Sequence, residues 1–253
     1  MSFELIVLGA NGTFPTAQGA TTGFLLRGNG AAIWVDAGTG TFGNLQRYVS
    51  FFDIDALVLS HLHLDHIMDV YPLYYALRYS PDTKGPIGLP VYAPPGAEDF
   101  LGRILSDEGC DFDGYLKFVD IHAGDDLALD PFRFGFVKSR HPIETMAMRI
   151  ELNGASLAYT SDSAPSDDLV ELAKGVDLLV AEASLQQPEA KLADVHMTAE
   201  EAGQLAAEAD VGRLVLTHLT PGLDPKISIN QAARHYSGEI LLAADNVRFE
   251  VGT

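Results

Sequence analysis

The sequence HLHLDH at residues 61–66 is the feature that most restricts how this chain can fold. It directly follows Ser60 and the apolar run ALVL at residues 56–59, which predicts a buried β-strand. Three imidazoles and one carboxylate are therefore crowded at the end of a strand. This mixed nitrogen and oxygen set suits zinc, iron or manganese rather than calcium. The sequence thus predicts a fold that carries a metal site at the end of a strand.

The number of ligand-type side chains in this short segment indicates two metal ions. A single tetrahedral ion could not comfortably use all four of them. Two ions that share a water supply an activated nucleophile and hold the substrate oxygen. A lone histidine or aspartate at a strand end is more often a cap or a turn residue, but recurrence after apolar strands indicates a joint role. The candidate ligands in the segment are His61, His63, Asp65 and His66, and those at the ends of later predicted strands are His141, Asp162 and His218.

Strand-like runs outnumber predicted helices along the chain. They cover residues 3–8, 22–26, 31–35, 56–59, 132–137, 147–152, 156–160, 177–182 and 213–217. The pattern alone predicts an α/β or α+β fold. No linker, low-complexity tract or internal repeat divides the 253 residues, so we expect one domain, residues 1–253. The Pro and Gly cluster at residues 92–96 is interpreted as a surface loop.

Three helices are predicted between the strands. The clearest follows His196 and ends near residue 209, with Thr198 and Glu201 at the spacing of a capping box. A second helix is expected from about residue 166 to residue 173, with two aspartates in its first turn. A third is expected over roughly residues 67–79, where Pro72 must kink or interrupt it.

The net charge and the first residues restrict the partners and the cellular location that we expect for this protein. A formal charge of −19 with only 16 Lys and Arg argues against nucleic acid as a partner. The first residues carry no basic leader, and glycine breaks their apolar run too early for a signal peptide or a membrane span. We therefore expect a cytoplasmic protein that does not bind membranes. Cys110 is the single cysteine, which excludes an internal disulfide.

The HxHxDH segment, followed in order by the three later ligand candidates, resembles the ligand set of the metallo-β-lactamase superfamily over nearly the whole chain. The resemblance implies an α/β four-layer αβ/βα sandwich, with two mixed β-sheets flanked by helices and a dinuclear site at the sheet edge. It also implies two divalent ions, most often zinc, with manganese or iron as alternatives. In this arrangement His61, His63 and His141 hold one ion, Asp65, His66 and His218 hold the other, and Asp162 bridges them.

Two further regions resemble the ribonuclease Z-like phosphodiesterase branch of that superfamily. One is the opening, at residues 8–26 and 35–41; the other comprises VAEASL at residues 180–185 and VHMTAEEAG at residues 195–203. By this resemblance His196 is a general acid that protonates the leaving alkoxide, and Glu182 orients it. A hydroxide bridging the metals, assisted by Asp65, would attack phosphorus. The simpler interpretation is that His196 only precedes a helix and Glu182 only ends a strand.

One departure from ribonuclease Z bears on the substrate. In the transfer-RNA-processing enzyme a long arm lies between the segments that match His141 and Asp162. Here that interval holds only residues 142–161, which predict two strands joined by a turn at Asn153 and Gly154. We therefore expect a small-molecule partner, namely a small or cyclic phosphodiester. The alternatives are a hydrolase of carboxylic esters, thioesters, lactones or β-lactams, a tRNA 3′-processing endonuclease, and a non-catalytic metal-binding protein.

The sequence does not identify a surface for self-association. Relatives are often homodimers, but no segment identifies a contact surface.

Several aromatic residues and two histidines are not assigned to the site. An aromatic series could stack on a nucleobase near the metals, although packing of a helix on its sheet is favoured. His122 and His235 have no partner at ligand spacing and are excluded from the site. The aromatic series is Tyr71, Tyr74, Tyr75 and Tyr79.

Overall fold

The computed structural model describes residues 2–106 and 111–252, so Cys110 lies outside the described residues. In these two ranges the chain forms two seven-stranded mixed sheets with helices along the outer faces. The predicted α/β sandwich of two mixed sheets flanked by helices is confirmed.

The strands are numbered along the chain. They are β1 (Phe3–Gly9), β2 (Gly23–Gly28), β3 (Ala31–Val35), β4 (Ala56–Val58), β5 (Leu89–Ala93), β6 (Leu116–Asp120), β7 (Asp126–Leu129), β8 (Phe132–Lys138), β9 (Met146–Leu152), β10 (Ala155–Tyr159), β11 (Leu178–Glu182), β12 (Arg213–Thr217), β13 (Glu239–Leu242) and β14 (Arg248–Val251). The first sheet has the order β14-β1-β2-β3-β4-β5-β6, and the second has the order β13-β12-β11-β10-β9-β8-β7. Strands β3 to β6 run parallel, as do β10 to β13.

The helices cover the two outer faces. They are α1 (Thr41–Leu45), α2 (Leu64–Ile67), α3 (Val70–Tyr79), α4 (Ala97–Leu105), α5 (Asp167–Ala173), α6 (Ala199–Glu208) and α7 (Pro225–Ala232). One apolar cluster lies under α1 to α4 and another under α5 to α7. Among the described residues, no helix is long and apolar enough to cross a membrane.

The largest core cluster fills the space between the sheets. Phe24 of β2 meets Tyr159 of β10 edge to face, with ring centroids 5.2 Å apart. Phe3 of β1 meets Phe132 of β8 in the same way at 5.3 Å. These aromatic pairs and the branched side chains around them are almost completely buried. Burial of this apolar surface holds the two sheets in a fixed position against each other. This matters because both sheets contribute residues to the site.

Every predicted strand is present, shifted at its ends by at most two residues. The helices predicted near residues 166–173 and 196–209 are confirmed as α5 and α6, and Thr198 with Glu201 forms the predicted capping box. The loop predicted at residues 92–96 is partly wrong, because its first two residues complete β5.

The helix predicted over roughly residues 67–79 is confirmed for residues 70–79, which form α3, but residue 67 ends α2 and the chain breaks between the two helices at Met68 and Asp69. Pro72 does not interrupt α3, because it lies in the first turn, where its missing N–H removes no helical hydrogen bond. The sequence pattern did not predict β5, β6, β7, β13, β14, α1, α4 or α7.

Candidate metal centre

The predicted ligands lie where the strand ends of both sheets meet. His61 follows β4 and is fully buried, and the next three candidates come from the turn and from α2. From the second sheet, His141 follows β8, Asp162 follows β10 and His218 follows β12 directly. Parallel strands direct their carboxyl ends to the same edge, so residues far apart in sequence meet there.

The seven predicted ligands form two groups joined by Asp162, and His196 forms a third group of ligand-type side chains with Asp162 and His218. In each group one ligand-type atom per residue lies within 4.8 Å of the others. Asp162 Oδ2 is 3.7 Å from His61 Nε2, whereas Asp162 Oδ1 is 3.3 Å from the Nε2 atoms of both His66 and His218. The structure thus brings all the predicted ligands together, and their roles as ligands stay a prediction. The first group is His61, His63, His141 and Asp162, and the second is Asp65, His66 and His218.

One unsatisfied ring nitrogen and two close pairs of ring nitrogens indicate that this cluster fits a divalent cation. His61 Nε2 is buried and has no hydrogen-bond partner among the described residues. Leaving such an atom unpaired costs about 1–3 kcal/mol, which a metal–nitrogen bond would remove. Ring nitrogens of His63 and His141 lie 3.1 Å apart, and those of His66 and His218 lie 3.3 Å apart. Imidazole nitrogens with carboxylate oxygens are the donor set that zinc and related metals prefer.

The electrostatics of the cluster favour neutral ligands in its first group. Burial, reinforced by neighbouring imidazoles, lowers the pKa of His61 well below its ordinary value. Burial likewise lowers the pKa values of His63 and His141. These three rings therefore keep a free lone pair at neutral pH, as metal ligands must.

In the second group, nearby carboxylates offset the effect of burial on the pKa values of the imidazoles. Burial opposes a charge on His66 and His218, but the neighbouring carboxylates together outweigh it and raise the pKa of both rings: Asp162 with Asp36 for His66, and Asp162 with Asp65 for His218. Conversely, burial opposes the charge on Asp65 and Asp162, but contacts with His218 and His66 lower the pKa of both carboxyl groups. A cation that bound here would displace protons from the two imidazoles, so binding should weaken at low pH.

A buried carboxylate that the sequence interpretation missed orients one of the ligands. Asp36 Oδ2 lies 2.8 Å from His66 Nδ1 and accepts hydrogen bonds from Ser60 Oγ at 2.8 Å and Tyr159 OH at 2.9 Å. This arrangement turns His66 Nε2 toward the cluster, as carboxylates behind metal-binding histidines do. Asp36 directly follows β3, so the strand-end signal that identified His218 would also have found it.

The turn after β3 packs against the backbone of α2. Ala37 N donates to the carbonyl of His66 at 2.6 Å. Gly38 lies so close that an added Cβ would be 2.1 Å from the carbonyl oxygen of Asp65. The carboxylate of Asp65 is also held, because Thr13 N donates to Asp65 Oδ2 at 2.7 Å. Asp65 is therefore held from both its backbone and its carboxylate.

Glu182 and His196 form a pair beside the ligand cluster. His196 Nδ1 lies 2.9 Å from Glu182 Oε1, which also accepts from Ser163 N at 2.7 Å. Glu182 is fully buried, whereas the His196 side chain keeps 18% of its surface exposed. The His196 ring centroid lies 5.4 Å from that of His141 and 5.9 Å from that of His218. The predicted pair is therefore adjacent to both ligand groups.

Glu182 also sets the charge of this histidine. Burial lowers the pKa of His196, but the hydrogen bond and negative charge of Glu182, aided by Asp162, outweigh burial and raise it above its ordinary value. His196 precedes the cap of α6 by two residues, so a well-defined helix start holds its backbone. A protonated imidazole at this position can donate a proton to a leaving group.

The remaining candidates lie outside the ligand cluster. Tyr71 and Tyr74 are buried in the core under α3, which confirms the packing interpretation for these two. Tyr75 and Tyr79 are exposed and stack on each other, with centroids 5.6 Å apart. The two excluded histidines, His122 and His235, lie near acidic surface side chains, Asp125 and Glu200 respectively.

Comparison with known proteins gives consistent matches over the chain. The family profile described as "Beta-lactamase superfamily domain" matches residues 12–219. The uncharacterized protein Rv1339 of Mycobacterium tuberculosis is 33% identical, over 99% of this chain and 93% of that protein. The probable metallo-hydrolase YhfI of Bacillus subtilis is 31% identical over 98% and 99%, and its crystal structure covers 99% of this chain and 100% of that chain with a TM-score of 0.90. Ribonuclease Z of Haloferax volcanii is 28% identical over 99% and 96%.

Proposed function

Because the chain belongs to the β-lactamase superfamily and is a metallo-hydrolase, we propose that it is a phosphodiesterase. Its His/Asp cluster is able to bind metal and would hold two divalent ions, for which zinc is the favoured metal. Its substrate would be a small or cyclic phosphodiester. The observation that carries the proposal is the hydrogen-bonded pair of His196 and Glu182 at the edge of the ligand cluster.

The two ions would be held by the two ligand groups with Asp162 between them. Bound there, they would supply Lewis-acid stabilisation of a phosphoryl oxygen and lower the pKa of water. The protein itself contributes orientation. Asp36 fixes His66, and Thr13 N fixes the carboxylate of Asp65, so the ligand atoms are set in place before a substrate arrives.

His196 gives the chain a means of protonating a poor leaving group. A phosphodiester releases an alkoxide, which is unstable unless it receives a proton as the bond breaks. Glu182 bonds Nδ1 and favours the protonated ring, so Nε2 would be the atom that donates to the departing oxygen. A thiolate leaving from a thioester needs no such acid, so the pair favours the phosphodiester over that alternative.

The connection between His141 and Asp162 supports a small substrate. It consists of β9 and β10 joined by a tight turn at Asn153 and Gly154, both with positive φ. The interval therefore holds a hairpin and no long arm for gripping RNA. The net charge of −19 also disfavours a polyanion. A relative named ribonuclease Z supports the bond type, and the short connection supports a smaller molecule that contains it.

The first test measures metal content by mass spectrometry together with hydrolysis of bis(p-nitrophenyl) phosphate. We expect about two metals per chain and turnover that is lost on chelation and restored by zinc. A panel of thioester and lactone substrates is run in parallel. Turnover of a carbon ester that exceeds phosphodiester turnover by orders of magnitude would replace the proposal with the ester hydrolase. Full metal content without any turnover would favour a binding protein.

Replacement of His196 tests its proposed role as the general acid. With a substrate that releases an alkoxide, such as a cyclic nucleotide, His196→Ala should lower turnover by about 10²- to 10⁴-fold and leave metal content near that of the parent, whereas the p-nitrophenolate of bis(p-nitrophenyl) phosphate leaves without needing a proton. His235→Ala is the matched control, since His235 Nε2 also lies 3.0 Å from a glutamate, Glu200, but outside the cluster. The control should keep parental turnover. Equal turnover in both variants would exclude His196 as the acid.

A further inference from the structure

Ser184 occupies a position between the two functional parts of the site. It lies two residues beyond Glu182 and is buried. Its Oγ is 2.5 Å from Glu182 Oε2 and 2.8 Å from His218 Nδ1. His196 Nδ1 is farther from it, at 3.5 Å, and is bonded to Glu182 at 2.9 Å. One hydroxyl thus stands between a carboxylate and a ligand-type imidazole.

The direction of these two hydrogen bonds follows from proton counting. A serine hydroxyl has a single proton, and an ionised carboxylate can only accept. Ser184 Oγ therefore donates to Glu182 and must accept from His218 Nδ1. In the neutral ring that binds a metal, the one N–H of His218 is then on Nδ1, and the lone pair is on Nε2.

The contacts of the second ring nitrogen of His218, Nε2, agree with this assignment. His218 Nε2 is 3.2 Å from Asp65 Oδ2 and 3.3 Å from Asp162 Oδ1. It is also 3.3 Å from His66 Nε2. The nitrogen that Ser184 leaves free is therefore the one that lies among the other ligand-type atoms.

We infer that Ser184 is a positioning residue, which holds His218 in the tautomer and orientation that present Nε2 to a metal and connects this ligand through Glu182 to His196. The inference rests on the metal centre and acid of the proposed function. The two oxygens of Glu182 have separate tasks: Oε1 binds His196 and Oε2 binds Ser184. A single buried carboxylate thereby sets both the acid histidine and a metal ligand.

Zinc affinity, measured by competition with a chromophoric chelator, tests this role without any substrate. Ser184→Ala should weaken the zinc-binding step that uses His218 by about 10- to 100-fold, as loss of hydrogen bonds behind metal ligands does, and leave the other step near its parental affinity. Ser184→Thr keeps the hydroxyl and should restore most of the affinity. Affinity of Ser184→Ala within about twofold of the parent, or Ser184→Thr as weak as Ser184→Ala, would overturn the inference.

A matched control separates a positioning role from general loss of a buried serine. Ser156 is also buried, and its hydroxyl contacts a carboxylate, Asp177 Oδ2, at 3.4 Å. It is the second residue of β10, whereas the predicted ligand Asp162 follows the far end of that strand, so Ser156→Ala should keep parental zinc affinity. If it loses as much affinity as Ser184→Ala, the effect is not specific and the inference fails. If the parent itself binds no zinc, the proposed metal centre fails instead.

A measurement on the parent protein does not depend on whether variants fold. Nitrogen-15 NMR of the zinc-loaded chain should show the His218 ring protonated on Nδ1, with that proton protected from solvent by Ser184. A His218 ring protonated on Nε2 would overturn the inference. Protonation on Nδ1 with rapid solvent exchange would also overturn it, because a buried hydrogen bond to Ser184 should slow exchange.

Discussion

Replacement of Gly38 by alanine should separate the rigidity of the metal-site backbone from the general stability of the fold. An added Cβ would lie 2.1 Å from the carbonyl oxygen of Asp65, 2.4 Å from Thr21 Oγ1 and 2.6 Å from the carbonyl oxygen of Thr22. Real Cβ atoms essentially never approach other atoms within 3.0 Å, so the Asp65 carbonyl alone must retreat by about 0.9 Å. Two of the three contacts are backbone oxygens and cannot rotate away.

The magnitude follows from this crowding. Overpacking of a tight site costs about 1–3 kcal/mol, and contacts with backbone on two sides place Gly38→Ala at the upper end, about 3 kcal/mol. For a chain of this size each kcal/mol shifts the melting temperature by about 2–4 °C, so we expect a decrease of about 6–12 °C. Because the backbone of Asp65 must move, zinc affinity should fall as well.

Gly43→Ala is the control. Gly43 lies in α1, and among the described residues outside its chain neighbours and the backbone of its own helix, no atom lies within 4 Å of the position that its Cβ would take. Alanine is the better helix former by roughly 0.5–1 kcal/mol, so this variant should melt slightly above the parent. Both variants are melted in chelator, which removes the contribution of metal, and are then titrated with zinc. A melting temperature of Gly38→Ala equal to that of the parent, or equal to that of Gly43→Ala, would refute the reasoning.

Four other predictions test the site and its support. Glu182→Gln removes the charge that raises the pKa of His196, so the alkaline limb of kcat/KM, where the acid loses its proton, should move to lower pH; an unmoved limb contradicts the assignment. Asp36→Asn should weaken zinc binding at His66 by about 10- to 100-fold in chelator competition. Thr198→Ala should cost about 1 kcal/mol in urea unfolding through loss of the α6 cap. Chelation should lower the melting temperature and zinc should restore it, whereas an insensitive melting curve argues against a bound metal.

Interior strands whose two faces are both buried could be predicted from the sequence, whereas β5, an interior strand with half-buried residues, was missed. β3, β10 and β11 consist wholly of buried residues and appear as continuous apolar runs. β7 and β13 lie at the two edges of the second sheet, are four residues long and contain exposed or half-buried side chains. Such short edge strands differ little from loops in composition, so they were missed.

The candidate ligands could be predicted because strand ends converge, whereas the supporting residues Tyr159 and Ser184 could not. Histidine and aspartate after an apolar run are visible signals, and Asp36 belongs to the same class. Tyr159 lies inside a buried strand, where nothing distinguishes it from a core residue until its hydroxyl is seen 2.9 Å from Asp36 in the other sheet. The role of Ser184 likewise depends on a distance to His218, 34 residues later in the chain.

The division of the predicted ligand set between two sheets makes the site depend on the complete fold. The HxHxDH residues come from the first sheet, whereas His141, Asp162 and His218 come from the second. Neither half alone holds both ligand groups, and the last strand, β14, returns to pair with β1 of the first half. A nascent or proteolysed chain thus carries only part of the predicted ligand set, so metal binding and hydrolysis at this site would require both sheets to be assembled.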